Sequence, residues 1–299
     1  MIAAMNAAPF EFARENHPLA GATLYDVGGP ARLALFPRNA AEARTAHAWM
    51  LAQPGPHLVL GNGSNVLVAD EGFPGIVLFT SGLDTLDALG GGRYYVGGGV
   101  DLGRLVRHVV VANNYHGTGA LAGIPGSVGG AIYMNAGTVN GAACEFLESV
   151  DLVTPAGLAT VAIDPSMYGY REQRFCGRDD LIVAGLFHFT VAQEDQRAIY
   201  DHYIQRRKEK QPQGHCCGSV FKNPPNDHAG RLIEACGLKG TRRGGAVISP
   251  MHANFIMNEG GASCEDILWL IGLIKRTVHD RFGVELEEEV RIIRPSIAS

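Results

Sequence analysis

Two stretches of this sequence gather residues that could hold a phosphate with bare backbone. Gly61-Asn62-Gly63-Ser64-Asn65 follows the apolar run His57-Leu58-Val59-Leu60. Glycines let the main chain approach a pyrophosphate closely, and consecutive N–H groups form an anion-binding nest. The common dinucleotide fingerprint, G-x-G-x-x-G opening a helix, is not met. Val66 stands where the third glycine belongs, and β-type residues follow. Nor does the Lys-Ser/Thr pair of a P-loop follow, so on this loop alone an ordinary glycine turn serves as well as a ligand loop. The second stretch, Gly123-Ile124-Pro125-Gly126-Ser127-Val128-Gly129-Gly130, is uncharged, stiffened at Pro125 and permissive elsewhere. Asn135-Ala136-Gly137 comes close behind it. Two such loops in one half of the chain could clamp an anionic cofactor through main-chain donors. The competing reading is a tight internal crossing of the chain.

Groups able to move protons or pair with anions are spread more thinly. Arg171, with Arg174 nearby, lies in a Tyr-rich segment. A guanidinium pairs with a carboxylate at any working pH, yet by pattern alone this is a surface arginine. Ser219, in Gly218-Ser219-Val220-Phe221-Lys222-Asn223-Pro224, reads as a turn or cap serine, and Lys222 and Asn223 as loop surface. Near the C-terminus Val284, Leu286, Val290 and Ile292 alternate with Glu285, Glu287, Glu289 and Arg291, a pattern with one solvated face. Arg206-Arg207-Lys208-Glu209-Lys210 suits a solvated helix face and an anion site equally well. Lys239, Arg242 and His252 are further groups able to pair with an anion, although a lone histidine such as His252 more often serves structure.

The elements that must carry these groups are legible in outline. Asn39 with Glu42 three residues later opens a helix that ends at Gln53 before Pro54-Gly55. His57–Leu60, Val66–Val68, Ile76–Phe79, Arg93–Val96, Val150–Val153 and Leu181–Thr190 read as strands. Leu102, Leu105, Val106 and Val109 fall at helical spacing. Residues 117–141 hold eight glycines, too many for an ordinary helix or strand. A polar helix spans 194–210, and Gln211-Pro212-Gln213-Gly214 marks a domain boundary. A short helix over Arg231–Cys236 stops at Gly237. Ser263 and Asp266 cap a long amphipathic helix carrying Ile267, Leu270, Ile271, Ile274 and Val278, ended by Gly283. Val284–Ile293 reads as a final strand.

Composition narrows the function classes. Of 299 residues, 39 are glycine, near twice the usual share of roughly 7%, and they follow no three-residue period, which excludes collagen. Hydrophobic residues at 46% and charged residues at 18% exclude a mainly disordered chain. With a net charge of −5 and no extended basic stripe, neither nucleic acid nor an anionic membrane is an expected partner. The six cysteines form no CxxC pair, so free thiols and no metal are expected. No signal peptide is read at the N-terminus and no apolar run approaches the ~18 residues of a membrane span. A cytoplasmic monomer is the expectation.

Seven motifs then occur in order: GNGSN, GIPGSVGGAIYMNAG, YGYR, GSVFKNP, AGRLIEACGLKG, HANFIMN and LEEEVRII. Together, over roughly residues 18–293, they resemble the UDP-N-acetylenolpyruvoylglucosamine reductase (MurB) family of bacterial cell-wall synthesis. The resemblance implies an α+β fold: an FAD-binding domain of the vanillyl-alcohol-oxidase (PCMH) type over 18–210, with subdomains of about 18–82 and 83–210. It implies a substrate-binding α+β domain over 211–283 and a strand in 284–299 returning toward the active site. FAD is the implied cofactor and NADPH the reductant, with UDP-N-acetylglucosamine enolpyruvate as substrate and UDP-N-acetylmuramate as product. The cofactor contacts it implies are Gly61, Asn62, Gly63, Ser64, Asn65, Gly123, Ile124, Pro125, Gly126, Ser127, Gly129, Gly130, Asn135 and Gly137.

Carried over residue by residue, the resemblance makes Ser219 the proton donor, Arg171 the group that holds the substrate carboxylate, and Glu289 a donor to the developing enol. It makes Asn223 a substrate contact, with Lys222, Arg207, Lys210 and His252 as further candidates. This chain departs from the family pattern at Gly119, where a glutamate is common, and at Arg174, where a serine is usual. The segment after Arg171 is short, which matches the smaller subclass without a lid tyrosine. Two other readings stand beside this one: an oxidase of the same flavin fold, and a diverged flavin-binding module without catalysis.

Overall fold

Ser263 opens a helix as its type and spacing require. In the computed structural model, which describes residues 8–294, the Ser263 hydroxyl accepts from Asp266 N and the Asp266 carboxylate accepts from Ser263 N. The helix runs Cys264–Phe282 and ends where Gly283 turns into the left-handed region at φ 68°. Ile267, Leu270, Ile271, Ile274 and Val278 are all buried, each stabilising the fold by roughly 1.5–3 kcal/mol.

This helix belongs to one of two units. The second unit gathers Asn16–Arg32, Gly63–Pro74 and the residues from Arg207 on. Its core packs the long helix and Ala229–Ala235 against a three-stranded antiparallel sheet of Arg242–Arg243, Ala246–Ile248 and Ile256–Asn258. Val66–Val68 pairs in parallel with Arg291–Ile293. Here the structure corrects the expected strand: only Arg291–Ile293 forms it, not Val284–Ile293. Upstream, Glu289 N and Val290 N both donate to Val220 O, which breaks a regular ladder.

The first unit comprises the residues up to Glu15, Leu33–Asn62 and Gly75–Arg206. Its larger sheet is antiparallel, in the order Gly157–Ala162, Leu147–Thr154, Leu181–His188, Arg93–Gly97, Leu86–Gly90. Val96, Val150, Leu152 and Phe187 from these strands are buried with Leu102, Leu105, Val106 and Val109 of the following helical segment. A second sheet takes the order Ala13–Pro18, Pro30–Leu35, Phe73–Phe79, His57–Leu60. His57–Leu60 pairs in parallel with Ile76–Phe79. The helix Ala40–Leu51 buries Ala43, Ala46 and Met50 beside it, capped by Asn39 Oδ1 accepting from Glu42 N.

The glycine-dense stretch 117–141 is more regular than its composition suggests. It contains short helices at Thr118–Leu121 and Val128–Tyr133 and a hairpin of Gly137–Thr138 with Gly141–Ala142. Gly119, Gly129 and Gly130 therefore lie inside helices. For Gly129 and Gly130 the Ser127 cap, accepting from Gly130 N, offsets poor helix propensity.

Candidate active site

In the first unit, the strand His57–Leu60 delivers Gly61 and Asn62 to the side of the Gly123–Gly130 turn. A side chain at Gly61 would start 2.2 Å from Ser127 Oγ, and one at Gly129 would start 2.9 Å from Gly98 O. Only glycine permits this approach. Gly123 and Gly126 have φ values of 72° and 132°, so the turn around Pro125 also depends on glycine. The amides of Val128, Gly129 and Gly130 are spent on Val100 O, Gly98 O and Ser127 Oγ. Gly129 and Gly130 can thus offer a cofactor bare surface rather than N–H donors. The tight internal crossing read from the sequence is present, and it carries neutral polar groups. Among these is Thr80 Oγ1, buried beside Gly61 and without a hydrogen-bond partner among the described residues.

Arg171 sits in the same unit, in the two-residue turn of a hairpin that pairs Tyr168 with Gln173 and Gly169 with Glu172. Its φ is 58°, a left-handed conformation that arginine rarely adopts. Its Nη2 donates to Gly137 O at 2.8 Å, and its guanidinium lies 5.0 Å from the Tyr170 ring centre. Arg174 is taken up elsewhere, by the Glu172 carboxylate and by Ser166 O. At Gly119 an added Cβ would meet Asn140 and Tyr203 at ordinary contact distance, and Asn140 Nδ2 donates to Tyr203 Oη at 2.6 Å.

In the second unit, Ser219 is half-buried and follows Gly218, whose φ is 73°. The chain beyond it is fixed on two sides. Val220 N donates to Asn254 O, while the Asn254 side chain accepts from Phe221 N and donates to Phe221 O. On the other side Glu289 N donates to Val220 O at 2.8 Å and Lys222 N to Glu287 O at 2.9 Å. Ser219 and Glu289 therefore lie on adjoining chain segments. Asn65 Nδ2 donates to Glu289 O, and Asn65 O accepts from Arg291 N. This asparagine amide anchors the Glu289 segment.

The remaining candidates differ in availability. Lys222 Nζ pairs with Glu287 Oε1 at 2.5 Å. Asn223 Oδ1 accepts from Ala229 N, the first residue of a helix. Arg207 is half-buried, donates to Gln211 Oε1, and has its pKa lowered by burial; Lys210 is exposed. Burial also lowers the pKa of His252, so this ring offers an anion an N–H donor but little charge at neutral pH. Lys239 and Arg242 pair with Glu234 and Glu259. The sequence pattern missed Asn254, which is buried and serves both backbone groups of Phe221. Its only signal was its place in HANFIMN.

Comparison with known proteins assigns two stretches of the chain. Residues 31–162 match the FAD binding domain family, which makes the chain a flavoprotein. The close approach of Gly61 and Ser127, with the unpartnered Thr80 hydroxyl beside it, supplies neutral polar groups that fit such a group. Residues 210–293 match the C-terminal domain of UDP-N-acetylenolpyruvoylglucosamine reductase. The reductase of that name from Syntrophotalea carbinolica is 41% identical over 280 residues, covering 92% of each chain. That from Chloroflexus aggregans is 40% identical over 94% of this chain and 97% of its own. The crystal structure of UDP-N-acetylenolpyruvylglucosamine reductase (MurB) from Thermus caldophilus superposes with a TM-score of 0.79 at 33% identity, over 97% of this chain and 99% of that one. The chain belongs to the UDP-N-acetylenolpyruvoylglucosamine reductase family and is an FAD-dependent oxidoreductase of α+β fold. Among the described residues no helix is long and apolar enough to cross a membrane.

Proposed function

We propose that this protein reduces UDP-N-acetylglucosamine enolpyruvate to UDP-N-acetylmuramate in peptidoglycan precursor synthesis, with NADPH as reductant. When bound, FAD supplies the hydride-transfer chemistry. In this reading Gly61, Asn62, Gly63, Ser64 and the Gly123–Gly130 turn hold FAD through bare backbone and neutral hydroxyls. Arg171 pairs with the substrate carboxylate and stabilises the negative charge that develops there. The Ser219 hydroxyl gives its proton to the carbon beside that carboxylate. The Glu289 carboxyl serves the developing enol by hydrogen bonding. Residues 211–283 act as the substrate-binding domain, where Arg207, Lys210 and Asn223 are the candidates for the nucleotide-sugar end.

The observation that carries this reading is the joining of the Ser219 and Glu289 segments through Glu289 N and Val220 O. It sets a neutral hydroxyl and a carboxyl on neighbouring backbones, as a proton-delivering pair requires. The test separates the two half-reactions. In Ser219→Ala, bleaching of the flavin band by NADPH proceeds as in the parent, while formation of the reduced nucleotide sugar falls by about 10²-fold or more. Equal turnover in both halves refutes the proton-donor role. Rapid oxygen consumption by the reduced protein without enolpyruvyl substrate favours an oxidase.

A further inference from the structure

Arg171 is held in an improbable place. A non-glycine residue at φ 58° is strained and persists only where its surroundings over-determine it. The hairpin around it is short: two residue pairs and a bond from Arg174 N to Met167 O close it. What fixes it is the neighbouring segment Asn135–Gly137. Gly137 O accepts from Arg171 Nη2 at 2.8 Å. Asn135 Nδ2 donates to Gly169 O at 2.8 Å, at the residue where the hairpin enters its turn. Asn135 and Gly137 therefore hold the turn at its backbone and at the tip of its arginine.

Asn135 is itself well determined. It is 3% exposed, and its Oδ1 accepts from Cys144 N at 3.0 Å. One amide face thus takes a donor and the other supplies one, which fixes its orientation. Its φ is 40°, a conformation asparagine tolerates better than most residues. Gly137 is closely packed, since a Cβ there would lie 2.2 Å from Gly141 O. Both polar atoms of its side chain are thus engaged with the protein, the oxygen by Cys144 N and the nitrogen by Gly169 O.

We infer that Asn135 is a positioning residue for the carboxylate-binding arginine: it fixes the 168–173 hairpin so that Arg171 keeps its left-handed backbone and its guanidinium direction. This rests on the role proposed above for Arg171, and it is an alternative to the cofactor contact that the resemblance implies for Asn135. Asn135→Asp keeps the acceptor for Cys144 N and loses the donor to Gly169 O. Asn135→Gly removes both and retains the backbone freedom. In either holoenzyme, FAD content and the rate of flavin bleaching by NADPH stay within about twofold of the parent. Reoxidation of the reduced flavin by the enolpyruvyl nucleotide sugar slows by about 10–100-fold, the scale of a misplaced reacting group.

The deciding measurement is a double-variant cycle. If Asn135 acts through Arg171, adding Asn135→Asp to Arg171→Ala slows reoxidation no further. Multiplying losses overturn the inference, as does reoxidation within twofold of the parent in both single variants. Loss of FAD from both variants overturns it too and returns Asn135 to the cofactor. If Arg171→Ala alone leaves reoxidation unchanged, the fault lies in the reading of Arg171, and the inference falls with it.

Discussion

The segment that carries Arg171 and the one that carries Ser219 are held in opposite ways. Around Ser219 the chain is locked by packing: Val220, Phe221, Leu286 and Val290 are all buried in one cluster, with Asn254 serving the backbone of Phe221. Around Arg171 the turn is fixed at a few polar points, Gly137 O and the Asn135 side chain chief among them, and Tyr170 beside it is 55% exposed. Packing spreads its hold over many atoms, so a large truncation there costs the fold itself. Point fixation concentrates its hold, so geometry can be lost while the fold survives.

The contrast can be broken most forcefully at Phe221. Phe221→Ala should cost about 3–5 kcal/mol of stability by emptying a buried ring's place, read as a large drop in the urea midpoint with both half-reactions failing together. Asn254→Ala comes next, at about 1–3 kcal/mol for each backbone group of Phe221 left bare. Its urea midpoint should fall while its spectrum with FAD remains that of the parent. A midpoint unchanged by this substitution would show that the clamp contributes nothing.

Acid tests the first unit in a different way. His47 is fully buried on the helix Ala40–Leu51, and desolvation lowers its pKa from the ordinary 6.5 against the opposing pull of Asp179 and Asp180. Above pH 6.5 the ring is neutral in both folded and unfolded chains and adds no pH dependence. As pH falls through 6.5 the unfolded chain takes up a proton that the folded chain refuses, so stability is lost from there down to the lowered folded value. The slope is about 1.4 kcal/mol per pH unit for one such proton. Urea titrations at pH 7.5 and 5.5 should show this slope reduced in His47→Gln.

The smallest effect on stability sharpens the comparison most. Arg171→Gly relieves the left-handed strain and loses the bond to Gly137 O, terms of about 1 kcal/mol each and opposite sign. Its melting temperature should stay near the parent's while reoxidation by the enolpyruvyl substrate falls by about 10²-fold or more. A large loss of stability would mean that the turn is locked by packing after all.

How much of this was legible depended on the range of the interactions. The helix Cys264–Phe282 could be read almost to the residue, because its cap, its periodicity and its Gly283 stop are all local. The glycine loops were legible as turns, but the spending of the Val128 and Gly129 amides on Val100 and Gly98 was not, since those partners belong to another segment. Asn65 and Asn135 were placed correctly in glycine loops. Their side chains, however, bond carbonyls 224 and 34 residues away, which no local pattern encodes. The strand expected over Val284–Ile293 was read from alternation alone, and alternation does not reveal that two successive amides share Val220 O.

The pairing of Val66–Val68 with Arg291–Ile293 has a consequence for how the protein is made. Translation delivers the first of these strands more than two hundred residues before the second, so the growing chain carries an apolar triplet whose neighbour does not yet exist. That strand, and the asparagine just ahead of it, can be completed only after synthesis has passed residue 293. Ribosome-bound intermediates of this protein should therefore lean on chaperones for the second unit, and acquire it in a single late step.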